Sequence, residues 1–352
     1  MKGLILAAGR GTRLRPLTHT RPKPVIRVAG RPIIHYALDN LKNVGVREIG
    51  IVVSPDTHTD VRAALNGVQD VTVTYILQEQ PQGLAHAVSV ARDWLRNDPF
   101  VLYLGDNLFE RGIEAFVRAF EESRPAAVVA LARVSDPRQF GVAEVRSGRI
   151  ARLVEKPKEP PSNLAVAGVY VFGPEIHRVI EGLSPSARGE YEITDAIQGL
   201  IDDGHEVHGL PIEGWWKDTG RAEDLLDANR LLLANIEPRA VGTVENSRLV
   251  GRVVVEPGAV VRDSTLMGPV LIARDSVVEN AFVGPFTAVG PGATVRGSEV
   301  EYSIVADRAV IEGVSTRLQE CVIGVGAQVT SRRGLPRAHR LVLGDESRVE
   351  IG

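Results

Sequence analysis

Cysteine is nearly absent: Cys321 is the only one in 352 residues. That excludes an internal disulfide and a zinc site built on cysteines. It suits a reducing compartment, and the cytoplasm is the expected location. Long apolar runs are missing too. No stretch approaches the ~20 residues a membrane-crossing helix needs, so no membrane partner is expected. The first apolar run is too short for a signal peptide and ends in Gly9-Arg10-Gly11. Acidic residues are missing from the start: eight Lys or Arg precede Asp39, the first carboxylate. Net charge over the chain is −3, so this basic start is local and no nucleic-acid partner is expected. No Gly-x-Ser-x-Gly elbow occurs, which argues against acyl-serine hydrolysis. The histidines show no metal-ligand spacing, and His205 and His208 read as surface residues.

What is present is 44% apolar and 24% charged residues, an ordinary globular balance. The length suits two domains. Early on, apolar strands alternate with helical patterns. Strands are expected at 2–8, 48–54, 71–77 and 100–105, and helices from Pro32 to Gly45 and at 84–95. Such alternation predicts a mostly parallel sheet covered on both faces, with ligands at the strands' carboxyl ends. From about Ala127 the strands shorten, and a helix at 223–235 closes the block. After Pro238 valine and glycine dominate. Val254, Val260, Leu266 and Ile272 stand six apart, and Val277, Val283, Val289 and Val295 repeat the spacing. Gly or Pro recurs between them. A six-residue apolar period predicts a hexapeptide β-helix, whose coils must stack to make a core. The expected domains are residues 1–236 and 243–352.

The run Leu6-Ala7-Ala8-Gly9-Arg10-Gly11-Thr12-Arg13-Leu14 is not a Walker loop, because no Gly-Lys-Ser/Thr follows. Nor is it a dinucleotide fingerprint, because Leu14 stands where the third glycine would be. Free N–H groups beside unpaired cations still suit a polyphosphate. Pro22 and Pro24 are expected to hold Lys23 in extended backbone. Asp106 ends an apolar strand and can bind a hard cation or cap a turn. Lys156, ahead of Pro157, suits a phosphate or plain solvent. Asp218, in Trp215-Trp216-Lys217-Asp218-Thr219-Gly220, reads as a second metal ligand or a helix cap.

Together and in this order these motifs resemble the sugar-nucleotide pyrophosphorylases, in particular their long thymidylyltransferase branch with a C-terminal left-handed β-helix. Gln78-Glu79-Gln80-Pro81-Gln82-Gly83-Leu84-Ala85-His86-Ala87, Tyr103-Leu104-Gly105-Asp106-Asn107, Phe140-Gly141-Val142, Val154-Glu155-Lys156-Pro157 and Arg188-Gly189-Glu190-Tyr191-Glu192-Ile193-Thr194-Asp195 carry the likeness further. It extends over essentially the whole chain. The fold it implies is α/β: a Rossmann-like mixed, mostly parallel sheet followed by the β-helix. It implies nucleotide binding by Leu6, Ala8, Gly9, Gly11, Thr12 and Arg13, with Gln78 and Gly83 reading the base. Gly141, Glu155 and Val166 would contact a hexose, and Lys156 and Arg188 its phosphate. Asp106 and Asp218 would hold Mg2+. Arg13, Lys23 and Lys156 would be the catalytic cations. Gln82 departs from the larger apolar or acidic residue common in relatives.

The implied reaction joins dTTP and glucose 1-phosphate into dTDP-glucose and pyrophosphate. A sugar phosphate is already a nucleophile, so the chemistry needs cations and alignment rather than a general base. That suits the missing catalytic triad. A UTP-using enzyme stays open at this point. An acetyltransferase tail would need a general base, usually His, and the tail offers only His339. A non-catalytic sensor would lack the two aspartates. A homo-oligomer is expected.

Overall fold

The computed structural model describes residues 1–9 and 11–331; Arg10 and residues 332–352, with His339, lie outside the described residues. The chain divides into two compact units. One comprises residues 1–11, 21–25 and 33–218; the other comprises 12–20, 26–32 and 219 onward.

The first unit is built on a nine-stranded mixed sheet. Strands Thr72–Leu77, Glu48–Val53, Lys2–Leu6 and Phe100–Leu104 lie side by side and parallel. Leu164–Phe172 then enters antiparallel, next to Phe100–Leu104 and Ala127–Arg133. Parallel pairing returns only between Ala127–Arg133 and Val207–Pro211. Arg149–Glu155 and Gly141–Arg146 form an antiparallel edge. The sheet is thus mixed and mostly parallel, as expected: seven of its nine strands run one way, and Leu164–Phe172 and Arg149–Glu155 run the other. The physical reason is connection length. Short links, such as the one between Arg146 and Arg149, make hairpins, whereas parallel neighbours need crossovers.

Successive residues of the central strands feed two cores. Leu4, Val52, Phe100 and Leu102 point to one face, packed by the helices Leu84–Val90 and Ile193–Asp202. Ile5, Ile51, Val101 and Tyr103 point to the other, packed by Ile33–Asn43 and Glu114–Ser123. Burial on both faces explains why the strands read as unbroken apolar runs. The expected helix at 84–95 is broken at Ala91 into Leu84–Val90 and Arg92–Leu95.

The second unit carries three parallel sheets of short strands, and the fold class is the one expected, a nucleotidyltransferase-type sheet followed by a left-handed β-helix. Aligned residues in successive coils, such as Val255, Ile272 and Val289, lie 17 apart. Of the eight expected inward positions, Leu266, Ile272, Val283, Val289 and Val295 are inward. Val254, Val260 and Val277 are half-buried instead, and Val255, Val261 and Val278 next to them fill the core. A 17-residue coil is one short of three sixes, so a strict period slips by one residue per coil. Asn246, Asp263, Asn280 and Gly297 repeat at the same interval with φ of 46–51°. They supply the left-handed corner that these residue types tolerate.

The helix Ala222–Leu233 belongs to this unit. Its Leu233 packs on the outward Leu271 and Ala288, with Val254 and Ile236 beside them. Buried Asn229 accepts from the Ala29 amide at 2.9 Å and donates to the Phe286 carbonyl at 2.9 Å. By its contacts this helix is therefore grouped with the residues after Asp218. No helix among the described residues is long and apolar enough to cross a membrane.

Candidate active site

Strand Phe100–Leu104 ends beside the central strand. Gly105 donates to the Leu6 carbonyl at 2.9 Å. A Cβ on Gly105 would lie 2.8 Å from that oxygen, so only glycine permits the approach. The next residue is Asp106. Asn107–Phe109 then pairs antiparallel with Trp216–Asp218, and Asn107 faces Asp218 in the ladder. This register brings two carboxylates 112 residues apart in sequence to one point.

Lys23 joins them. Its Nζ lies 2.6 Å from Asp106 Oδ2 and 3.2 Å from Asp218 Oδ1. The Lys23 side chain is 9% exposed, and the two carboxylates 33% and 34%. Burial works to lower the Lys23 pKa, but Asp106 and Asp218 outweigh it and hold it above the ordinary value. Burial likewise pushes Asp106 up, while Lys23 and Asn107 bring it below the usual carboxylate range. Lys23 is not in extended backbone, as its flanking prolines suggested. Lys23–Val25 is a 3-10 turn, closed by the Val25 amide on the Pro22 carbonyl at 3.1 Å.

A second layer holds Asp106. Asn107 Nδ2 donates to Asp106 Oδ1 at 2.8 Å, and Trp216 Nε1 donates to Asn107 Oδ1 at 2.6 Å. The buried Tyr103 hydroxyl accepts from Asn40 and donates to the Asn107 carbonyl. Sequence reasoning quoted Asn107 and Trp216 without seeing this link. The signal was their place beside the two aspartates, but the pairing needs the strand register.

Two carboxylates converging on one positive charge fit a hard cation, which takes oxygen donors. Among the described residues no group of three or more His, Cys, Asp or Glu could hold a metal. A cation here would complete its shell from phosphate and water.

The Gln78–Gly83 loop forms a separate cluster in the same unit. Gly83 has φ of 107°, and a Cβ there would meet the Tyr191 carbonyl oxygen at 2.5 Å. Tyr191 donates its amide to Gln82 and accepts from Ala85, which zips the loop down. Gln78 is 2% exposed. Its Nε2 reaches His86 Nδ1 at 2.9 Å and the Gly83 carbonyl at 3.5 Å.

A third cluster gathers the residues expected for a sugar phosphate. Gly141 pairs with Glu155, and a Cβ on Gly141 would meet Thr194 Cγ2 at 2.5 Å. Glu155 accepts from Thr194 at 3.1 Å and lies 3.3 Å from Arg188 and 3.6 Å from Lys156. Burial raises the Glu155 pKa despite Lys156. Arg188 also bonds Glu192 at 2.7 Å. Val166 is buried beside Gly141. Lys156 takes a left-handed φ of 41° and donates its amide to Phe140. The Phe140 ring packs edge-on against Trp216, with centroids 5.6 Å apart, and so links this cluster to the aspartates. Glu192 and Thr194 belong to the motif quoted from the sequence, but no role was read for them there.

In the opening loop, Leu6 is half-buried, Ala8 buried and Gly9 exposed, and Gly11 has φ of 62°. Thr12–Leu14 is a 3-10 turn counted with the second unit, and Arg13 is exposed.

Comparisons with known proteins identify the family. The nucleotidyl transferase family model matches residues 2–235. A glucose-1-phosphate thymidylyltransferase of Streptomyces griseus is 48% identical over 354 residues, covering 100% of this chain and 99% of its own. A Bacillus anthracis structure assigned as a glucose-1-phosphate thymidylyltransferase, in complex with sucrose, aligns with a TM-score of 0.63 and 37% identity. It covers 67% of this chain and 96% of its own. A UDP-glucose pyrophosphorylase complexed with UDP-glucose aligns with a TM-score of 0.60 and 26% identity, covering 67% and 99%. The family is generally metal-dependent and makes sugar nucleotides from a sugar phosphate and a nucleoside triphosphate. The chain belongs to the nucleotidyl transferase family and is an enzyme of that class.

Proposed function

We propose that the chain joins dTTP and α-D-glucose 1-phosphate into dTDP-glucose and pyrophosphate. The observation that carries this reading is the convergence of Lys23 on Asp106 and Asp218 at two strand ends. One aromatic contact links them to the Glu155, Lys156 and Arg188 cluster. Two anionic substrates need two cation-bearing sites held at a fixed separation.

In this reading a phosphate oxygen of the sugar phosphate attacks the α-phosphorus of dTTP. The new O–P bond forms opposite the bond to the β-phosphate, which breaks and carries its electron pair onto pyrophosphate. No proton is removed from the nucleophile. Lys156 and Arg188 hold the sugar phosphate, and Glu155, Gly141 and Val166 shape the hexose pocket. Lys23 faces the reacting phosphate. Gly9, Gly11, Thr12 and Arg13 are assigned to the triphosphate, with Leu6 and Ala8 beside the nucleoside. Mg2+ on Asp106 and Asp218 would neutralise charge building on the transferring and leaving phosphates. The cytoplasm, which holds these substrates, and a homo-oligomer complete the reading.

UTP is the competing nucleotide, since thymine and uracil present the same N3–H. A pyrophosphate-release assay over dTTP, UTP, dCTP and ATP with glucose 1-phosphate decides. The fastest turnover is expected with dTTP. Asp106→Asn and Asp218→Asn should each lower kcat by about a thousandfold with the fold intact. Absence of pyrophosphate from every pair of substrates would sink the reading.

A further inference from the structure

The residue against Gln78 carries an inference beyond the base-reading assignment. A glutamine amide has two faces, an acceptor oxygen and a donor NH2, and nothing intrinsic chooses between them. Here the neighbours restrict the choice. Gln78 Nε2 lies between the Gly83 carbonyl at 3.5 Å and His86 Nδ1 at 2.9 Å, an acceptor when the ring carries its proton on Nε2. A turned amide would set its oxygen against both lone pairs. The Gly83 contact is long for a hydrogen bond, so His86 is the stronger determinant.

His86 is itself held. It lies on the helix Leu84–Val90, whose start is pinned by Ala85 on the Tyr191 carbonyl. The Tyr191 ring stacks on the imidazole, with centroids 6.2 Å apart and planes at 30°. One residue thus clamps both the loop backbone and the histidine ring. No hydrogen bond reaches Gln78 Oε1 from a described residue.

We propose that His86, through Nδ1, fixes the Gln78 amide with its oxygen toward the base and so makes the pocket select N3–H pyrimidines over cytosine. This rests on the reading that Gln78 meets the base. Thymine and uracil carry a donor at N3, which pairs with an amide oxygen. Cytosine carries an acceptor there, which an amide oxygen repels. His86 is a positioning residue: it acts on the nucleotide only through Gln78. Its pKa is lowered by burial, which favours the neutral ring, and Nδ1 is an acceptor in the tautomer that carries its proton on Nε2.

The test compares kcat/KM for dTTP and dCTP in the full chain. His86→Leu removes the acceptor and should lower the dTTP:dCTP ratio about tenfold, mainly through KM. His86→Asn places an acceptor near the Nδ1 position and should restore the ratio to within about threefold of the parent. Gln78→Leu should abolish the preference. Loss of preference in Gln78→Leu with an unchanged ratio in His86→Leu overturns the proposal and leaves the base-reading assignment standing. An unchanged ratio in Gln78→Leu removes that assignment, and the proposal with it. A readout independent of folding variants is the 15N shift of the His86 ring in the parent protein. The expected result is an unprotonated Nδ1; a protonated Nδ1 overturns the proposal.

Discussion

Lys23 keeps a full charge in a place where lysine is rarely found, 9% exposed and wedged between two carboxylates. Partners make that tolerable, since a buried charge persists only when paired. His177 shows the opposite outcome. It is 3% exposed, its Nε2 has no hydrogen-bond partner among the described residues, and its ring stacks on Phe100. Burial, with help from Arg92, pushes its pKa down to about 4. The unfolded chain therefore takes up a proton more readily than the folded one. Stability is held above the unfolded pKa near 6.5 and lost as pH falls toward 4. At pH 5 the loss attributable to this residue is about 2 kcal/mol. Urea titrations at pH 7 and pH 5 should show a smaller drop for His177→Phe than for the parent by about that amount. Equal drops would assign the acid sensitivity elsewhere. At this scale sequence reading went far with charged residues, because a lysine between prolines or an aspartate after an apolar strand stands out locally. It missed Asn107 and Thr194, whose importance depends on neighbours 109 and 39 residues away.

Elements act on the candidate site through close backbone approach. The strand Leu164–Phe172 shifts register between Val166 and Tyr170. Gly168 lies in that irregularity with φ of 33°, and a Cβ on it would stand 2.5 Å from Asn107 Cγ and Oδ1. Asn107 in turn bridges Trp216 to Asp106. Gly168→Ala should therefore displace Asn107 and release Asp106. The expected result is a loss of about 1–3 kcal/mol in stability and a fall in kcat of about tenfold. Asn107→Ala should give a similar kcat, and the double variant little further loss, because both act on the same carboxylate. Additive losses in kcat would show two separate routes. The apolar run through this strand was visible in the sequence. The bulge was not, because Gly168 among valines reads equally well as ordinary strand.

For the whole molecule, the organisation of the second unit settles where the catalytic-type fold stops depending on itself. The helix Ala222–Leu233 follows the last residues of the candidate site in sequence, yet its Leu233 and Asn229 are buried on the β-helix. The outward Leu271 and Ala288 have no place on a solvent-facing sheet without it. A chain ended after Asn235 would lose that apolar packing and the Phe286 bond, about 3–5 kcal/mol together. Amides of residues 222–233 should then exchange at least about a hundredfold faster than in the full chain. Equal protection would mean that the β-helix does not hold this helix. Alternating charges run across one sheet from coil to coil, with Arg262 on Glu245 at 2.7 Å and Arg296 on Glu279 at 3.1 Å. Such exposed pairs add little each and serve register more than stability.

The sequence by itself determined the features that are local in physics. The valine period with its Gly and Asn corners specifies a β-helix, because each coil repeats the same short-range geometry. The basic opening without carboxylates pointed to an anion site, because a local excess of one charge can be read without its partners. Tertiary structure alone decided the rest. The coil of 17 moved three valines out of the core, since only stacking sets the coil length. The pairing of Asn107 with Asp218, the turn that turns Lys23 toward both aspartates, and the seat of His86 on Gln78 all depend on register and close approach between distant segments. Those are settled by packing across the sheet, and no run of neighbouring residues encodes them.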